Sequence, residues 1–356
     1  MTAAHIPGQR YDVKELVGQG GMQTVRRAVD QRLKRDVALK TPLSTSAAKR
    51  FESSAQLSAR IRHPNVASAL DYFIDGETAY FAEELIDGIN LQQCLDKHFT
   101  RLCPDTTAKV LHNLAKGVAA SHQAEVIHRD LKPSNIMVSS DLSFTMIKIT
   151  DFGIARLAEL QLEADLKNHN ESSATSSTLI GAIPFMAPEA IAKTTSKVLP
   201  GKGIDVWALG AIAYYLLTGK HPFGPDITAV VAILTGTPPP PPEIHITGGA
   251  THVVASSLWN AIQACLKRDP NDRPTAAQLA DMCASMRYLD EPRITASITG
   301  KDPNRPVYFG VTKRGASIAL PKAEFIEGAP AIGARVSCFA FSGQPYPRGV
   351  AVMQLR

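Results

Sequence analysis

Cysteine is scarce and unpaired in this chain of 356 residues: Cys94, Cys103, Cys265, Cys283 and Cys338 are odd in number, widely spaced and without a C-x-x-C pair. That argues against a disulfide framework and against a zinc knuckle, and a reducing, cytoplasmic setting is expected. Long hydrophobic runs are also missing. The longest strongly apolar stretch, 206–217, falls short of the roughly 18 residues a membrane span needs, and the N-terminal MTAAHIPGQR has no signal-type apolar core. The chain is therefore expected to be soluble. No internal repeat of about 20–50 residues appears, which sets aside solenoids and propellers.

What is present suits a folded protein: 44% hydrophobic and 20% charged residues are enough for two or three packed units. The net charge of +5 is concentrated in residues 304–356, where Arg305, Lys313, Arg314, Lys322, Arg335, Arg348 and Arg356 face Glu324 and Glu327. The rest of the chain balances. A basic tail suits an acidic partner and equally a solvated surface.

Residues 11–40 alternate in short apolar and polar runs broken by glycine, the pattern of antiparallel strands. Residues 46–62 suit a helix and 66–86 two more strands. From about 91 the apolar spacing turns helical, with a hinge expected near Asp87-Gly88. The stretch 158–178 reads as a mobile loop, and Pro238 to Pro242 as an extended polyproline loop. After Arg293 a polar linker leads to a Gly-punctuated, β-branched tail that reads as a separate small β unit.

Three motifs carry chemistry. Val17-Gly18-Gln19-Gly20-Gly21-Met22-Gln23-Thr24-Val25 is a glycine-rich turn between strands, where backbone N–H groups can approach phosphate oxygens. No helix follows it, which disfavours dinucleotide-fold and Walker readings. Val37-Ala38-Leu39-Lys40 is a strand ending in a lysine able to hold nucleotide phosphates. The third is decisive: His128-Arg129-Asp130-Leu131-Lys132-Pro133-Ser134-Asn135, then Asp151-Phe152-Gly153 and Ala187-Pro188-Glu189. Together these resemble the signature set of the protein-kinase superfamily over roughly residues 11–290, most of all its bacterial, eukaryotic-like Ser/Thr protein kinases.

The resemblance implies an α+β, two-lobed kinase fold, with a small antiparallel sheet in the first lobe and a mostly helical second lobe. The expected organisation is an extension at 1–10, an N-lobe at 11–87, a C-lobe at 88–290, a linker at 291–303 and a small basic β domain at 304–356. It implies ATP as cofactor with Mg²⁺ or Mn²⁺, and proteins as substrates. Asp130 would orient the attacking hydroxyl, Lys132 would reach the γ-phosphate and favour Ser/Thr acceptors, and Asn135 and Asp151 would offer oxygens to the metal. Lys40 would pair with the α- and β-phosphates beneath the glycine-rich loop. Val25, Ala38 and Met137 would sandwich adenine, with the Glu84 carbonyl and Ile86 N–H as its backbone partners. Asp205 would hold the catalytic loop, Arg273 would pair with Glu189, and His128 would be a packed imidazole. Arg129 would receive a phosphate on Thr175, Ser176, Ser177 or Thr178.

The chain departs from the family in four places. Gln23 stands where the loop's third glycine is usual. Ser54 stands where a helix glutamate normally pairs with the lysine; Glu52 is the nearest acid, about 200° away on a helix. Glu83 replaces an apolar residue at the rear of the nucleotide pocket and is the alternative partner for Lys40. Ala182 stands where a threonine hydroxyl usually faces the catalytic aspartate. Ser54 and Ala182 keep open an alternative, a weakly active or inactive nucleotide-binding scaffold. The tail resembles the last strands of cold-shock or OB-like barrels, which admits single-stranded nucleic acid or an acidic protein as ligand, with packing or protein contact the preferred role.

Overall fold

The computed structural model of the chain describes residues 6–19, 23–43, 45–152, 181–192, 201–242, 250–328 and 330–356. The expectations for Gly20, Gly21, Met22, Gly153, the loop at 158–178 and Thr175 to Thr178 lie outside them. The alternation at the start of the chain produces β1 (Tyr11–Gln19), β2 (Gln23–Asp30), β3 (Arg35–Pro42), β4 (Ala69–Asp75) and β5 (Thr78–Glu84), an antiparallel sheet in the order β1-β2-β3-β5-β4. Because strand side chains alternate, Val37 and Leu39 of β3 go to one face with Tyr11, Ala28 and Ala82, while Ala38 and Lys40 go to the other. Helix α1 (Thr45–Ser58) covers that second face, laying Phe51 and Ala55 on Ala79 and Phe81.

Beyond a short sheet of β6 (Gly88–Asn90), β7 (Ile136–Ser139) and β8 (Ile147–Ile149), the chain is mainly helical. Among the described residues its helices are α2 (Leu91–His98), α3 (Pro104–Gln123), α4 (Pro188–Ile191), α5 (Gly203–Thr218), α6 (Ala229–Thr235), α7 (Ala250–Cys265) and α8 (Ala276–Ala284). Apolar nearly all round, α5 is buried in the middle of this lobe, as such a helix must be. Gly210 lets α7 come close, since a Cβ there would lie 2.5 Å from that of Cys265. Gly219 ends α5 with a left-handed backbone (φ +71°) and donates its N–H to the Tyr215 carbonyl at 2.8 Å. The proline run lies between α6 and α7, and the Tyr214 hydroxyl donates to the Pro240 carbonyl at 3.0 Å. No helix among the described residues is long and apolar enough to cross a membrane.

The tail forms a closed five-stranded barrel of β9 (Ile294–Lys301), β10 (Val307–Thr312), β11 (Ser317–Pro321), β12 (Arg335–Phe341) and β13 (Arg348–Gln354). Strands β11 and β13 pair in parallel. Two expectations are corrected here. The stretch 291–303 is no linker, because β9 lies within it and pairs with both β10 and β12; its small and hydroxyl-bearing residues disguised a strand as polar spacer. Nor is the barrel separate. Ala296, Ile298, Ile318, Leu320, Val336 and Val352 fill its interior, but Phe339, Ala351, Met353 and Leu355 join the buried cluster of α2, α3 and α5. Phe325 is buried and meets Tyr308 edge-on at 5.4 Å.

All five cysteines are buried and free, and burial pushes the thiols of Cys94 and Cys283 up to about 12. They are packing residues, not nucleophiles. His221 stacks on Tyr215 at 4.5 Å and meets Phe185 edge-on at 5.4 Å, and burial holds its imidazole below the usual value. The folded chain prefers the neutral ring, whereas the unfolded chain takes up a proton below about pH 6.5, so stability is lost as pH falls through that value. Thermal melts should drop between about pH 7.5 and 5.5, and His221→Phe should recover part of the drop; an equal drop in that variant would assign the titration to other groups.

Candidate active site

The loop between α3 and β7 is set by one buried carboxylate. Asp205, in the first turn of α5 and 1% exposed, accepts from the backbone N–H groups of His128 (2.9 Å) and Arg129 (2.8 Å) and contacts His122 Nε2 at 2.8 Å. Burial would raise its pKa, but these donors outweigh burial and hold it below the ordinary carboxylate value. The two backbone bonds hold Arg129 in the left-handed region, at φ +68°. Such strain persists only where surroundings over-determine it. His128 is fully buried, with Nε2 2.9 Å from the Thr150 carbonyl and its ring 4.5 Å from Phe152. Asp205 and His128 thus have the geometry expected of them.

On this loop Lys132 Nζ lies 3.0 and 2.9 Å from the two Asp130 carboxylate oxygens. Asn135 donates its amide to the Asp130 carbonyl (2.8 Å) and carboxylate (3.0 Å). The amide nitrogen is thereby committed, so a cation at Asn135 could be met only through Oδ1. A cleft beside Asp130 is lined by Arg129, Ala182, Met186, Ala187 and Ala190, so Ala182 shares that cleft with the aspartate. Among the described residues, Arg129 Nε and Nη1 are buried without a hydrogen-bond partner.

The first lobe contributes Lys40. In the β3–β5 register Ala38 faces Glu83 and Lys40 faces Phe81, which puts Glu83 diagonal to Lys40 on one face of the sheet. Lys40 Nζ lies 2.6 Å from Glu83 Oε2 and 2.9 Å from Asp151 Oδ1. Burial would lower the ammonium's pKa, but Asp151 and Glu83 outweigh it and hold the group above the usual lysine range. One cation cannot fully serve two acids. Burial prevails at Glu83, whose carboxyl is pushed up, while at Asp151 Lys40 and the Gln23 amide (2.8 Å) prevail over burial and hold it down. Asp151 is also left-handed, at φ +63°.

Gln23, at the position of the loop's third glycine, donates its side-chain amide to Asp151. Ser54 donates its hydroxyl to the Phe152 carbonyl at 2.5 Å, and Glu52 is exposed and bound by Gln56. Ala38 is buried, and Val25 and Met137 are half-buried on β2 and β7. Val17, Gly18 and Gln19 end β1, with Gly18 opposite Val25 and Gln19 opposite Thr24. Glu84 ends β5; its side chain binds Lys148 at 2.6 Å, and Ile86 follows before β6. Arg273, whose side chain is fully buried, grips Glu189 with two bonds of 2.6 and 2.8 Å and stacks over Trp207.

The protein kinase domain family matches residues 11–283. The chain is similar to the serine/threonine-protein kinase PknB of Mycolicibacterium smegmatis, at 29% identity over 335 residues, 91% of this chain and 48% of that protein. It is similar to PknA of Mycobacterium tuberculosis, at 29% over 88% of the chain and 67% of that protein. To pkn3 of Myxococcus xanthus it is 31% identical, over 80% of the chain and 50% of that protein. The chain thus spans about half the length of PknB and pkn3.

Proposed function

We propose, since the chain belongs to the protein kinase family, that it transfers the γ-phosphoryl group of ATP to serine and threonine hydroxyls of proteins, its own 175–178 segment included. The observation that carries this reading is the grouping of Asp130, Lys132 and Asn135 within hydrogen-bond reach on a loop fixed by Asp205. Bound ATP with Mg²⁺ or Mn²⁺ would supply the phosphoryl group and neutralise its charge. Asp130 would orient and accept the proton of a hydroxyl lying in the cleft beside Ala182, and Lys132 would carry positive charge toward the transferring group. Asn135 Oδ1 and Asp151 are hard oxygen donors suited to a cation that shares its remaining positions with phosphates and water. The glycine-rich turn with Gly18 and Gln19, and Lys40 below it, would hold the phosphates; Val25, Ala38 and Met137 would flank the base, with backbone atoms of Glu84 and Ile86 at its edge. The unpartnered nitrogens of Arg129 suit a phosphate on the segment that follows Asp151. The five buried thiols agree with a cytoplasmic setting.

The test is incubation with ATP and Mg²⁺ or Mn²⁺ beside Asp130→Asn, followed by mapping of new phosphates by mass spectrometry. Phosphate on Thr175 to Thr178 in the wild type alone is the expected result. Nucleotide binding without any new phosphate, on itself or on added protein, would return the reading to a nucleotide-binding scaffold.

A further inference from the structure

We propose that Glu83, a residue of the sheet, positions Lys40 in place of the helix glutamate whose site is taken by Ser54. The inference rests on the kinase reading above and adds a positioning residue to it. Three observations converge. Glu83 and Lys40 are both about 95% buried and touch at 2.6 Å. They stand on neighbouring, hydrogen-bonded strands, so the β3–β5 ladder fixes the spacing of their backbones independently of any helix. Helix α1 offers no carboxylate there, since Ser54 is spent on the Phe152 carbonyl and Glu52 is on the exposed side.

The energetics point the same way. A carboxylate at the rear of a pocket is costly to desolvate, and an apolar side chain would fill that place without the cost. The charge is answered by Lys40 at 2.6 Å, and Lys40 would keep this partner if a bound metal ion drew Asp151 away. Lys40 then has a partner in every nucleotide state, and displacement of α1 does not release it. What α1 governs in this chain is the backbone of Phe152, through Ser54, and so the start of the segment after Asp151. Anchoring of the lysine and movement of the helix, one event where a helix glutamate is used, are two events here.

The experiment compares wild type, Glu83→Met, Glu83→Gln, Ser54→Glu and Ser54→Glu with Glu83→Met. It measures ATP affinity with Mg²⁺ by calorimetry, KM for ATP and kcat on a Ser/Thr peptide, and the melting temperature of each. Glu83→Met is expected to lose roughly 100-fold in kcat/KM for ATP, with Glu83→Gln in between. Returning the carboxylate to the helix in the double variant is expected to recover roughly tenfold, which a merely structural loss would not allow. Wild-type affinity and turnover in Glu83→Met would overturn the proposal, and so would a double variant no better than Glu83→Met. If Glu83→Met does not fold, the near-isosteric Glu83→Gln decides by its loss or retention of ATP affinity. Should the wild type transfer no phosphate, the kinase reading fails by itself, and the affinities still judge Glu83.

Discussion

Asp130→Asn is expected to slow phosphoryl transfer by about 10³-fold while leaving ATP affinity within about twofold. The substitution keeps the size of the side chain and removes its negative charge and its ability to take a proton. It also turns one of the two oxygens facing Lys132 into a donor, so that a charge-assisted contact of about 3 Å becomes donor against donor. The backbone around it is held by Asp205 and by the bond from Asn135 to the Asp130 carbonyl, neither of which the substitution touches. The lysine site, the β1–β2 turn and the base-flanking residues lie on other elements. Single-turnover transfer from labelled ATP, beside calorimetric ATP binding, separates the two quantities. Retention of more than about a tenth of wild-type transfer would mean that another group orients the hydroxyl.

How far the site could be read from sequence follows from the range of the interactions. Asp130, Lys132 and Asn135 sit within six residues, so their spacing alone brought them together on one loop. The sheet could be read too, because β3 alternates between two faces and its register carries Glu83 beside Lys40; the departure at Ser54 was enough to pose the question. Three things were hidden. That Gln23 reaches Asp151, 128 positions away, depends on the relative placement of the two lobes and leaves no trace in either segment. The left-handed backbones of Arg129 and Asp151 are held by tertiary bonds, and nothing local marks them: arginine does not prefer that region, and aspartate enters it readily but at few of its positions. The start of the barrel is disguised in the sequence because β9 combines Ala, Ser and Thr with only two isoleucines, and its inward face of Ala296 and Ile298 is too short a pattern to outweigh a polar composition.

Arg293, the last residue before β9, carries the second large effect. Its guanidinium is buried and makes five hydrogen bonds, all to neutral acceptors: the Ser337 hydroxyl (3.0 Å) and carbonyl (2.6 Å), the Ala351 carbonyl (2.7 Å), Cys103 Sγ and the Thr106 hydroxyl (both 3.3 Å). It also lies 4.4 Å over the Phe339 ring. These contacts bind β12 and β13 to the N-terminal turn of α3, and Met353 Sδ accepts from the Cys103 N–H beside them. Arg293→Met keeps an unbranched apolar stem but is shorter and takes the guanidinium donors away from two buried carbonyls, which costs about 3–5 kcal/mol. The melting temperature is expected to fall by about 6 °C or more, against about 1 °C for Arg305→Met on the exposed barrel surface. Because Phe339, Ala351, Met353 and Leu355 share the lobe's buried cluster, wild type should melt without a separate barrel transition. A chain stopped at 292 should be recovered as aggregate, since it would expose the α2 and α3 surfaces those side chains cover. A soluble, cooperatively melting 1–292 fragment, or an Arg293→Met protein with wild-type stability, would instead make the barrel an independent unit.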